Sequence, residues 1–106
     1  MPENITDMQR HDETDEIFVL LRGGCILFIS DGNQTVTDIL AENMQPFKLY
    51  NVKKSTWHTH TLKKDAMVLI IENRDTTYDN SPFCPLNDSQ RQAIVNLTRK
   101  LWVDNK

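Results

Sequence analysis

Glycine is scarce in this chain. Gly23, Gly24 and Gly32 are the only three, and they lie close together, so a collagen-like repeat, a flexible glycine linker or a phosphate-cradling glycine loop has no material to form from. Basic residues give no excess either. Twelve Lys and Arg stand against 15 Asp and Glu, for a net charge of −3, which argues against a nucleic-acid partner, since such binding needs a basic surface. No apolar run approaches the roughly 18 residues of a membrane-spanning helix, so no membrane partner is expected. Met1-Pro2-Glu3-Asn4 has no basic segment leading into an apolar one, so no secretory signal is read there and a cytoplasmic protein is expected. The two cysteines, Cys25 and Cys84, fit no zinc or redox spacing. Cys25 sits in an apolar run and reads as a small buried hydrophobe. Two reduced thiols are the simpler expectation.

What remains is enough for one small domain of 106 residues. With 39% apolar and 25% charged residues, it has the composition of a globular protein rather than a disordered one. Two apolar runs, 17–21 and 25–29, flank Gly23-Gly24 and read as a β-hairpin. Residues 34–40 suit another strand, which 42–46 should break before a strand resumes at 47–50. Residues 57–62 alternate with a period of two, and 66–71 form a continuous apolar run, the pattern of a strand buried on both faces. Residues 73–87 are polar and read as a long loop. A helical period follows over 88–103, with Ala93, Ile94, Leu97 and Leu101 as its apolar stripe and Trp102 beside it. Asn87 and Gln90 have capping-box spacing. The pattern predicts six or seven short strands and one C-terminal helix, an all-β sandwich or barrel.

The chain has three histidines. His58 and His60 are two apart in a predicted strand, so both leave the same face. His11 precedes Glu16, the residue that opens the first apolar strand. Imidazoles and a carboxylate gathered in a dry interior suit one divalent ion: zinc, iron, manganese or nickel.

These residues resemble the motifs of the cupin family, small double-stranded β-helix or jelly-roll barrels. The first cupin motif is G-x5-H-x-H-x(3,4)-E-x6-G, and Gln9-x-His11-x4-Glu16-x6-Gly23 is similar to its later part, with Gln9 at the first histidine. The second motif is G-x5-P-x-G-x2-H-x3-N. Lys53-x-Ser55-x2-His58 lies in its position, with Lys53 for proline, Ser55 for glycine and Leu62 for asparagine. The resemblance covers residues 9–72 as the barrel, and stretches such as Trp57-His58-Thr59-His60 are similar to small bacterial single-domain cupins from which no activity carries over. It implies His11, Glu16, His58 and Gln9 as metal ligands, Gln9 the weakest because an amide oxygen is a poorer donor than imidazole. It also implies isomerase, lyase or oxygenase-type chemistry on a small sugar-like or carboxylated molecule.

His60 is the candidate for a catalytic base or a substitute ligand. In a straight strand its side chain stands about 7 Å from that of His58, too far to share an ion. Asn51, Trp57, His60 and Arg74 are the candidate contacts to a small-molecule ligand, although packing is the simpler reading for Trp57, as for Tyr50 and Phe47. Five lysines and no acids lie between Lys48 and Lys64, and six acids with one base between Glu3 and Glu16. In a cupin these two segments approach one another at the metal site. Only eight residues precede the first motif, so the usual leading strands are expected to be missing, and an open sheet edge predicts a homodimer with the N-terminal segment paired across it. A non-enzymatic, metal-free ligand-binding module is the alternative.

Overall fold

The computed structural model describes residues 2–12, 15–32, 34–72 and 82–102. A 3-10 turn at Pro2–Asn4 leads into eight strands: β1 (Asp7–Gln9), β2 (Glu16–Arg22), β3 (Cys25–Ser30), β4 (Leu40–Asn43), β5 (Leu49–Val52), β6 (Trp57–Leu62), β7 (Met67–Glu72) and β8 (Phe83–Pro85). One helix follows, α1 (Asp88–Trp102). The strands form a five-stranded sheet, β4-β3-β6-β1-β8, and a three-stranded sheet, β5-β2-β7. Every pairing between these strands is antiparallel.

The large sheet is covered on both faces, and this explains why β3 is apolar throughout. Cys25 and Leu27 face the small sheet, where they pack with Phe18, Leu20, Met44 and Val52. Ile26 and Phe28 face the other way, into a second core with Met8, Val36, Trp57, Cys84, Leu86 and Ile94. The helix closes this second core with its Ile94 stripe, as the period predicts. Its start is the expected capping box: Gln90 N donates to Asn87 Oδ1 at 2.8 Å, and Asn87 N donates to Gln90 Oε1 at 3.0 Å. Both cysteines are buried and unbridged, and burial pushes the Cys25 thiol up to about 12. No helix among the described residues is long and apolar enough to cross a membrane.

Several expectations are corrected. β2 and β3 do not pair as a hairpin, because they belong to different sheets. The Gly23-Gly24 corner carries the chain from one sheet to the other, with Gly23 in the left-handed region (φ 83°) against Ala66. The strand expected at 34–40 begins only at Leu40 and runs into the first two residues of the segment read as a break. β7 is not buried on both faces. The small sheet has the large sheet on one side only, so Met67, Leu69 and Ile71 remain exposed on its outer side, and Ile70, opposite Phe18, is also 38% exposed. The expected long loop contains β8. The N-terminal strand β1 lies inside the large sheet, paired on its two sides with β6 and β8, so its edges are already used within the chain. The expected barrel is an open two-sheet sandwich among the described residues. The all-β class with a C-terminal helix stands.

Ile94 has no exposed surface, so Ile94→Ala should cost about 2–5 kcal/mol of stability. Asn87→Ala should cost about 1 kcal/mol through the lost cap. Urea unfolding monitored by circular dichroism measures both.

Candidate metal centre

Three side chains converge between the sheets. Glu16 opens β2 and faces inward with Phe18 and Leu20, by the alternation of a strand. His58 is the second residue of β6, and His11 lies in the connection from β1 to β2. His58 Nε2 stands 2.8 Å from Glu16 Oε1, and His11 Nε2 stands 3.4 Å from Glu16 Oε2. The residues are only 7%, 4% and 7% exposed for His11, Glu16 and His58. One donor atom from each lies within 4.8 Å of the others, and the group could hold a metal ion. Donors around one tetrahedral ion at about 2.0–2.2 Å stand about 3.3–3.6 Å apart, so binding would draw the widest pair together by up to about 1 Å.

The tautomer of His58 suits that role. Its Nδ1 is 3.0 Å from the Thr56 carbonyl oxygen. A carbonyl only accepts, so Nδ1 carries the proton and Nε2 is the nitrogen turned toward Glu16. An imidazole anchored through Nδ1–H to a carbonyl is the usual state of a metal-ligating histidine. Burial pushes the Glu16 carboxyl up, but the hydrogen bond from His58 and the charges of His58 and His11 outweigh it, leaving Glu16 below the ordinary carboxylate value.

The backbone that presents His11 is held by the β5–β6 turn. Ser55 N donates to the His11 carbonyl at 2.7 Å, and Ser55 Oγ donates to Asp12 at 2.9 Å. Ser55 sits at φ 65°, in the left-handed region where glycine is at ease. Ser55 therefore keeps a glycine-like backbone. Lys54 N and Asn51 Nδ2 donate to the two oxygens of Asp15 at 2.8 and 3.2 Å. These bonds, the Lys54 one first, hold the Asp15 carboxyl below its ordinary value. The acidic and lysine-bearing segments do meet, through hydrogen bonds to backbone and amide nitrogens.

The other candidates separate. Gln9 is opposite His58 on the neighbouring strand and so shares its inward face. His60 also faces inward, edge-on to Phe18 with ring centroids 5.6 Å apart. It does not belong to the three-donor group, and burial followed by the charge of His58 pushes its pKa down. Trp57 does not reach the site. One residue before His58 in the strand, it points to the opposite face, buried in the helix-side core with the Arg10 guanidinium 4.7 Å from its ring centroid. Asn51 is exposed, donates to Asp15, and lines a cavity of about 410 Å³ with Leu27, Tyr50, Val52 and Thr56. Arg74 lies outside the described residues.

Glu72 belongs to the site, and sequence reasoning missed it. It pairs with Glu16 across β2 and β7, and its Oε1 is 3.9 Å from His11 Nε2. Burial, and then the negative charge of Glu16, push its pKa up. Only the strand register brings it here, and nothing local to residue 72 signals it.

A scan against protein-family models and a search of curated proteins each found no match.

A carboxyl with a raised folded pKa opposes folding once it ionises, and this opposition is absent below its ordinary value near 4.5. Glu72→Gln should therefore raise the melting temperature of metal-free protein at pH 7, and the gain should shrink toward zero at pH 4. Scanning calorimetry across that range is the measurement. A variant less stable at pH 7 would contradict the assignment.

Proposed function

We propose that the protein is a small cupin-type domain that holds one divalent transition metal on His11, Glu16 and His58, with Gln9 as a weak fourth donor, and takes a small sugar-like or carboxylated molecule beside it. The convergence of two imidazoles on the two oxygens of one buried carboxylate carries this reading. The carbonyl-anchored Nδ1 of His58 and the left-handed Ser55 at the motif's glycine support it. The donor set has the composition of a two-histidine, one-carboxylate triad, which suits iron, manganese, nickel or zinc. A bound ion would act as a Lewis acid on a substrate oxygen. Around it, Glu72 offers a carboxyl disposed to hold a proton and His60 an imidazole disposed to stay neutral, which is the pairing that isomerase, lyase or oxygenase-type chemistry would use.

Metal content by elemental analysis and melting temperature with added zinc, manganese, nickel or iron(II) test the reading. At metal concentrations near a hundred times Kd, the wild type should melt about 10 °C or more higher. His58→Ala and Glu16→Gln should lose most of that shift. The competing reading, a metal-free ligand-binding module, is favoured by Gln9 at the usual histidine and by a Glu16–His58 bond that one proton can satisfy. A melting temperature that no metal moves, but a small carboxylate or sugar does, would establish it.

We infer further that the outer face of the small sheet is covered by a second copy of the chain. Ile17 and Val19 of β2, Leu49 of β5, and Met67, Leu69 and Ile71 of β7 share that face, with Leu49 at 72% exposure. They form an apolar patch on the order of several hundred Å², bordered by Arg22 opposite Met67. A standard interface takes about 800 Å² from each partner and has such an apolar centre. A two-fold axis through this apolar centre matches it to itself and leaves Arg22 at its border. Sedimentation velocity should show a dimer for the wild type and a monomer for Leu69→Glu and Leu49→Glu. Dimers that survive both substitutions would refute this interface.

A further inference from the structure

A concavity lies on the helix side of the large sheet, away from the histidines. It is a groove of about 820 Å³ between the N-terminal 3-10 turn, the β6–β7 turn and α1. Its walls divide by chemistry. Pro2, Leu62, Val95 and Trp102 are apolar, and the hydroxyl of buried Thr98 is already bonded to the Ile94 carbonyl at 2.8 Å. Lys63, Lys64 and Arg99 line the same groove, against one acid, Glu3. Three cations gather here in a chain whose net charge is −3. None of the three has a carboxylate within ion-pair distance among the described residues.

Two of these groups are held in place. The Lys63 stem lies over Gly24, where a Cβ would stand 2.8 Å from its Cδ. That path carries the ammonium to 4.8 Å from the centroid of the Trp102 ring. Trp102 is fixed in turn by its Nε1–H, which donates to Asn43 Oδ1 at 3.2 Å. An apolar floor, an aromatic wall and a cationic rim complement a molecule with an apolar body and one anionic head.

The geometry points to this groove as a binding site for a small amphiphilic organic anion, a carboxylate, sulfonate or phosphate monoester on an apolar body. The apolar body lies against Leu62, Val95 and Trp102, and the head meets Lys63, Lys64 and Arg99. The site is separate from the histidine centre and does not depend on metal there.

8-Anilinonaphthalene-1-sulfonate has this chemistry and reports its own binding by fluorescence, and N-phenyl-1-naphthylamine is its uncharged analogue. Titration of the full chain should give saturable binding of one sulfonate probe per chain. The uncharged analogue should bind at least tenfold more weakly. Lys63→Glu combined with Arg99→Glu should weaken sulfonate binding at least tenfold, with circular dichroism confirming the fold. Should the double variant fail to fold, the wild type's salt dependence decides: binding should weaken as sodium chloride rises from 50 to 500 mM, because the rim charges are solvent-accessible. Non-saturating fluorescence, equal affinity for the two probes, unchanged affinity in the folded double variant, or binding indifferent to salt would each overturn the proposal.

Discussion

Glu16 is the joint of this molecule. Its carboxylate belongs to the small sheet, its nearest partner His58 to the large sheet, and its second partner His11 to the connection between them. A carboxylate taken this far from water costs several kcal/mol unless its oxygens find donors. Each oxygen faces one imidazole, so the same contacts that make the burial tolerable also set the spacing of the sheets at this end. The Thr56 carbonyl fixes the His58 ring, and Ser55 fixes the backbone of His11. The centre is thus held from outside by a turn whose own conformation, a left-handed Ser55, is unusual for a residue with a side chain.

The unequal covering of the two sheets accounts for much of the rest. The large sheet lies between the small sheet and α1, so β3 and β6 bury residues on both faces, and neighbouring residues in one strand take unrelated jobs. Trp57 packs toward the helix while His58, next to it, enters the site. The small sheet has one face covered, and its uncovered face is nevertheless apolar. Inward, the same strands present Glu16 and Glu72, so a contact on the outer face would brace the strands that carry the two carboxylates.

The constellation of His11, Glu16 and His58 was legible because motif spacing places all three, and the helix was legible because its period and its Asn87–Gln90 cap are local signals. β6 was legible from its alternation. The pairings were not. Gly23-Gly24 between two apolar runs has the local signature of a hairpin, and only the partition of β2 and β3 into different sheets turns it into a corner. The apolar run at 66–71 reads as a doubly buried strand, because a sequence cannot say whether a second layer covers the outer face. Residue type alone makes Asn51 and Trp57 candidate ligand contacts, and the side each faces depends on register.

By itself, the sequence determined which residues could carry chemistry, where the helix starts, and that the chain would be rich in strands, since spacing, capping and periodicity act over a few residues. The tertiary structure alone decided that Glu72 joins Glu16, that Trp57 leaves the site, and that Gly23 and Gly24 mark a crossing between sheets. Antiparallel register and sheet partition join residues dozens of positions apart, and a shift of one residue would exchange the buried face of a strand for its outer one.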